Sequence, residues 1–387
     1  CPLIKHKVIK KSAGCPSRLF LKYIKIIRKR SFSSYRTEWD VKKTIQFSSL
    51  LQYIAGFFTK MISNRTDFFA FFSGLVRTDH LLKLEKNQRR RFPLYIDGVF
   101  SGGGIKGLAY IGAYQALEEH GFQFKRVAGT SAGAIIAAFI AAGFTSEELN
   151  NELGNLELRT ILDEPKSILP YKLFKWLPIY WRLGMYKGQA LENWLDQTLQ
   201  KKGVRTFGDL PPGVLQIIAS DLSNGRIFIL PNELHKYNIP FENFPIAKAV
   251  RMSCSLPYFF EPVRLKINHR KIVIVDGGVL SNFPMWLFDR ENVMKERPVL
   301  GIKLSPNINE QPPREIKNAL QMFEALFSTM KDAHDTRYIS RKHEKNIIFI
   351  PTEGMLTTEF GITNEGKEDL IKIGKEKTLK FLKNWAY

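Results

Sequence analysis

Twice between residues 94 and 142 the chain runs from an apolar strand through a turn of small residues into a helix. Leu94-Tyr95-Ile96-Asp97-Gly98-Val99-Phe100 leads into Ser101-Gly102-Gly103-Gly104-Ile105-Lys106-Gly107. Leu108, Ile111, Tyr114 and Leu117 then recur at helical spacing. Further on, Arg126-Val127-Ala128 leads into Gly129-Thr130-Ser131-Ala132-Gly133, and a helical run of small and apolar residues follows to Ala142. Repetition of this unit specifies an α/β fold, because a crossover helix is what returns a chain for parallel pairing. Apolar runs at 215–219, 226–230, 271–275, 299–304 and 347–350 alternate with helical patterns, the clearest over 315–340 and 365–385. They predict a mostly parallel central sheet with helices on both faces.

The two turns differ in chemistry. Glycines at 102, 103 and 104 let bare amides approach a ligand oxygen, and the helix start adds positive potential. Gly102, Gly104 and Gly107 also spell the dinucleotide fingerprint, but the next strand ends in Gly129-Thr130 and not in the acidic residue a ribose needs. The second turn reads G-x-S-x-G, the nucleophile elbow. Small neighbours allow a tight turn that exposes the Ser131 hydroxyl, and the Ala132 amide opens the next helix, ready to share in an oxyanion hole.

A serine hydroxyl needs a base. Lys271-Ile272-Val273-Ile274-Val275 runs into Asp276-Gly277-Gly278, which sets a carboxylate at a strand end. His334 and His343 are the histidines that follow Asp276, as a Ser-Asp-His triad would require. Both fall in the charged helical stretch 331–345, where a solvated histidine is the plainer account, so a Ser–Asp dyad is preferred. Lys106 stands in the first turn of a helix, an unfavourable place for a cation, which points to a phosphate or carboxylate partner. Cys254, in an apolar stretch, reads as a packed small residue.

Four motifs occur in one order: the Gly102–Gly107 turn with Lys106; the Gly129–Gly133 elbow; Ala249-Val250-Arg251-Met252-Ser253-Cys254-Ser255-Leu256-Pro257 with Phe259-Phe260-Glu261-Pro262; and Asp276-Gly277-Gly278. In this the chain resembles the patatin-like phospholipases, in particular the bacterial and neuropathy-target-esterase-like lipid acyl hydrolases. The resemblance implies a three-layer patatin-like fold. It implies Ser131 as nucleophile, Asp276 as base, and the amides of Gly102, Gly103, Gly104 and Ala132 as oxyanion hole. Lys106, Gly107, Gly129, Gly133, Gly277 and Gly278 would support these motifs. The expected reaction is hydrolysis of a phospholipid or lysophospholipid carboxylic ester through an acyl-enzyme, with no metal or other cofactor. The alternatives are an α/β-hydrolase esterase with a triad, a catalytically silent membrane-binding module, and a nucleotide-binding protein.

Charge adds a second theme. The 387 residues carry a net charge of +21, and residues 1–92 hold 21 Lys/Arg against 5 Asp/Glu. Nucleic acid is not expected, since no recognisable module accompanies the charge. Phe47, Leu50, Leu51, Ile54, Phe57, Phe58, Met61 and Ile62 share one helical face. That face could lie in a membrane surface or pack on the next domain. The longest uncharged run there, 44–59, has 16 residues. A spanning helix needs about 20. The first 30 residues show no secretory signal, so the expected location is cytoplasmic and peripheral to a membrane. The organisation read here is a basic, partly amphipathic extension over 1–92 and a catalytic domain over 93–387. Within the latter, 164–186 sets many aromatics among Lys166, Lys172, Lys175 and Arg182, as a flap over an acyl pocket at the lipid interface or as a loop of core aromatics. Head group, acyl position and oligomeric state are not legible.

Overall fold

The computed structural model describes residues 94–163, 177–267, 270–288, 296–304, 316–317, 319–339, 344–352 and 361–385. The basic extension over 1–92, the first part of the aromatic segment (164–176) and His343 lie outside the described residues.

Strand β1 (Leu94–Phe100), helix α1 (Ala109–Glu119) and strand β2 (Phe122–Thr130) form the first crossover, and helix α2 (Ala132–Ala141) leaves β2 through the elbow. Two short helices, α3 (Ser146–Leu149) and α4 (Leu177–Arg182), precede strand β3 (Gly184–Tyr186) and helix α5 (Gln189–Gln200). Strands β4 (Leu215–Asp221) and β5 (Arg226–Leu230) make a hairpin, and helix α6 (Ile246–Ser253) follows. Strands β6 (Tyr258–Phe260), β7 (Val263–Ile267) and β8 (Arg270–Asp276) lead into the Asp-Gly-Gly turn. Strand β9 (Val299–Leu304), helix α7 (Ala319–Tyr338), strand β10 (Ile347–Ile350) and helix α8 (Asn364–Leu382) complete the order.

Five strands, β10, β9, β1, β2 and β4, pair in parallel, as the repeated strand–turn–helix pattern requires. Strands β5 and β8 pair antiparallel with β4, and β7 antiparallel with β8. Strands β3 and β6 form a separate parallel pair. Strands β4 and β5, and β7 and β8, are hairpin neighbours joined by a few residues, and such short joins permit no parallel return, whereas β8 reaches β4 through long-range pairing.

Neighbouring residues of a strand face opposite ways, and both faces are covered. Ile96, Phe100 and Val127 join the core under α1 and α2. Val99, Ala128 and Ile218 face the other way, onto Phe283, Met285, Leu287 and Phe288. The result is three layers with a mostly parallel sheet between. Helix α2 is buried almost all round, which its composition of Ala, Gly, Ile and Phe allows.

Helices α1 and α8 cross at a pair of glycines. A Cβ at Gly112 would lie 1.8 Å from the Ile371 carbonyl oxygen, and one at Gly374 would lie 1.9 Å from that of Ala109. The backbones touch, so neither site has room for a methyl group. Gly112→Ala is expected to force the helices apart and lower stability by roughly 1–3 kcal/mol. Urea unfolding checks this, and an unchanged midpoint would refute the close crossing.

Candidate active site

Three registers bring the elbow and the Asp-Gly-Gly turn together. Strand β5 takes one edge of β4 over Ile217 to Asp221. On the other edge, β2 pairs up to Thr130↔Ile218, and β8 runs the opposite way and pairs down to Asp276↔Ala219. Strands β2 and β8 therefore lie end to end, with their carboxyl ends meeting beside consecutive residues of β4. Ser131 follows Thr130 directly. Two residues 145 positions apart in the chain become neighbours by strand pairing alone.

Ser131 turns the corner with φ 52° and ψ −123°, a conformation that non-glycine residues rarely adopt. Such strain costs about 1–3 kcal/mol and persists only where surrounding bonds over-determine it. Here the Ser131 N–H donates to Ser253 Oγ at 2.8 Å, and Ser253 Oγ donates to the Ile218 carbonyl at 2.5 Å. Thr130 Oγ1 donates to the Ser281 carbonyl at 3.1 Å. The Asp276 N–H donates to the Ser255 carbonyl at 2.8 Å. Gly133 lets the elbow close on β1, because a Cβ there would lie 2.4 Å from the Phe100 carbonyl oxygen.

The Ser131 side chain lies near enough to the Asp276 carboxyl to lower its pKa, and both residues line one pocket. The Gly278 N–H donates to the same carboxylate at 2.7 Å. Burial pushes the Asp276 carboxyl up to about 6; Ser131, the hydrogen bond from Gly278 and the charge of Lys331 act against that rise. Cys254 lines the same pocket, and burial, with the charge of Asp276, pushes its thiol far up. It stays a protonated thiol, in keeping with the packed small residue read from sequence.

The glycine turn corrects one expectation. The Gly102 N–H donates to the Asn282 carbonyl at 3.1 Å, so it is already occupied and cannot complete an oxyanion hole. Gly103 and Gly104 line the pocket with Ser131 and Ala132. Among the described residues their N–H groups, and that of Ala132, donate to no backbone carbonyl. Gly104 has φ 59°, which turns the chain into the short helical turn carrying Lys106 and Gly107. Lys106 is half-buried there. Ser101 braces the turn from behind: its carbonyl accepts Tyr110 Oη at 2.5 Å, and its Oγ accepts the Leu304 N–H at 3.1 Å.

Ser131 and Asp276 sit in a pocket holding about 930 Å³ of empty space, part of it open to solvent. The wall is made of apolar side chains from α2, α5, the 153–161 segment and β6. Among the described residues that line it, Asp276 and Lys331 are the charged ones. Arg251 holds the β6 side of the wall. Its buried guanidinium donates to the carbonyls of Gly188 (2.9 Å), Lys187 (2.6 Å) and Glu261 (2.8 Å) and to Ser255 Oγ (2.5 Å).

Several of these residues carried no role in the sequence. Ser253 stood inside a quoted motif, and Asn282 and Lys331 stood in none. Their parts depend on contacts across 122 or more positions for Ser253 or across separate elements, which no local pattern encodes. His334 lies in α7 with its side chain outside the described residues. His120 and His235 bond locally through Nδ1, to the carbonyls of Ala116 and Asn232. In α4, Tyr180 and Trp181 are 79% and 66% exposed, so these two are not core aromatics.

The patatin-like phospholipase family model matches residues 98–289. The chain is 54% identical over 294 residues to the uncharacterized protein YqhO of Bacillus subtilis (strain 168), covering 76% of this chain and all of that one. It is 26% identical over 191 residues to the triacylglycerol lipase ptl3 of Schizosaccharomyces pombe, covering 49% of this chain and 38% of that one. Among solved structures, VipD from Legionella pneumophila overlays with a TM-score of 0.46 at 19% identity, covering 76% of this chain and 67% of that one. With its motifs, sheet and matched region in agreement, this chain belongs to the patatin-like phospholipase family.

Proposed function

We propose that the chain is a serine lipid acyl hydrolase, a phospholipase or lysophospholipase that cleaves carboxylic esters by a Ser131–Asp276 dyad at a membrane surface. One observation carries this reading: a serine on a strained elbow and a buried carboxylate, brought to adjacent strand ends, line one largely apolar pocket. Asp276, as its carboxylate, accepts the Ser131 proton while Oγ attacks the ester carbonyl. The developing oxyanion is held by the amides of Gly103, Gly104 and Ala132. The alcohol leaves with the proton from Asp276, and an acyl-enzyme remains on Ser131. Water, deprotonated by Asp276, then releases the fatty acid. The apolar wall suits an acyl chain, and the catalytic unit of this reading is 93–387.

Ser131→Ala and Asp276→Asn are each expected to lower kcat by at least about 10³-fold on a short-chain ester. A fluorophosphonate probe should label the wild type and not Ser131→Ala. Labelling that persists in Ser131→Ala would move the nucleophile elsewhere.

The ionised form of Asp276 is the base, and its carboxyl is raised to about 6. Protonation below that pH removes the base, so kcat/KM should fall about tenfold per pH unit below 6 and level off above it. A pH–rate profile flat down to pH 4 would exclude Asp276 as the base.

Exposed Tyr180 and Trp181, beside Arg182, form the kind of surface that settles at a lipid interface. Exchange of both aromatics for Ser should weaken binding to anionic vesicles by about tenfold and spare turnover of a water-soluble ester. Unchanged vesicle sedimentation would defeat this part of the reading.

A further inference from the structure

Helix α7 lies outside the region matched by the family model, yet it contributes to the pocket. Phe327, Lys331 and Asp335 follow one another at four-residue steps and so share a face of the helix. Asp335 anchors that face. Its buried carboxylate takes Lys303 Nζ at 2.6 Å and Asn282 Nδ2 at 3.1 Å. Asn282 is also the residue whose carbonyl holds the Gly102 N–H, so the anchor ties α7 to both the glycine turn and the loop after Asp276. One turn before Lys331, Phe327 is buried against Gly278 and lines the pocket. The Lys331 ammonium stands 5.5 Å from the Phe327 ring centroid. A long, flexible side chain is thereby given a fixed root and an aromatic support.

Lys331 is half-buried and lines the same pocket as Ser131. Asp276 accepts the Gly278 N–H, and beyond Ser131, Cys254 and the two charged residues the described wall is apolar or glycine. Resting on the acyl hydrolase reading above, we propose that Lys331 reads the alcohol side of the substrate by binding a phosphate ester next to the scissile acyl ester. The pocket then favours acylglycerol phosphates and phospholipids over neutral acylglycerols of the same chain. A partly buried ammonium gains more from a ligand anion than from a neutral glycerol. An ammonium is a compact point charge, suited to a phosphate oxygen approached from several directions.

A matched pair of substrates tests this: 1-decanoylglycerol 3-phosphate and 1-decanoylglycerol, assayed below their micelle concentrations. Wild type should prefer the phosphate. Lys331→Gln should reduce the ratio of the two kcat/KM values by about 10- to 100-fold, mainly through KM, and Lys331→Arg should keep most of it. Matching unfolding midpoints for the three proteins establish that the fold is intact. An unchanged ratio in Lys331→Gln overturns the proposal. So does an equal fall on both substrates, which is what a mere counter-ion for Asp276 would give. The same pair with ether in place of ester, titrated by calorimetry, reads recognition without turnover. Loss of affinity in Lys331→Gln confined to the ether phosphate supports the proposal even if neither ester is cleaved, in which case only the hydrolase reading fails. An equal loss for decanoate would assign Lys331 to the fatty-acid carboxylate and overturn it.

Discussion

Strand β4 has one edge taken by β5 and one left for β2 and β8, and the pairing leaves their carboxyl ends facing each other at Ile218 and Ala219. Backbone pairing fixes position to a fraction of a residue, because a slip of one turns every side chain to the opposite face. The site inherits that accuracy. Ser131 and Asp276 need no flexible loop to find each other. The serine bonds around them, from Ser253 to Ile218 and from Thr130 to Ser281, then hold the two strand ends in line. Apolar cover on both faces of the sheet keeps water from competing for those bonds.

The electrostatics follow from the same arrangement. A carboxylate at the end of a buried strand is desolvated, which raises its proton affinity into the range useful to a base near neutrality. The Gly278 N–H and the Ser131 hydroxyl keep that rise from going further. Gly103 and Gly104 line the same pocket from the end of β1, the neighbour of β2, so the proposed base, nucleophile and oxyanion donors come from three strand ends of a single sheet.

Much of this was legible in the sequence, and the reason is physical. The strands at 226–230, 299–304 and 347–350 coincide with their apolar runs, because buried strands in a covered sheet read as unbroken hydrophobic stretches. The elbow and the Asp-Gly-Gly turn were found because the chemistry demands special residues at fixed neighbours. Strand β7 was not, since Arg264 and Lys266 alternate with Leu265 in a short segment that signals little by itself. Strands β3 and β6 have three residues each and exist by mutual pairing. Gly102 shows a different limit. Three glycines announce exposed amides, but only the fold reveals which amide is already taken, here by Asn282. Lys331 was unreadable as part of the pocket because its charge sits in a helix rich in charge, and its register there is set by long-range contacts of Asp335 and Phe327.

The positive-φ turn at Ser131 is held by a few hydrogen bonds, from its own N–H to Ser253 and from Thr130 to the Ser281 carbonyl, while the sheet beneath it is held by the whole hydrophobic interior. These two sources of order have different strengths. Warming can release the corner into a relaxed backbone while every strand stays paired. The corner is then the more fragile feature, and a gently heated sample would keep its far-ultraviolet signature after Ser131 has withdrawn from its place.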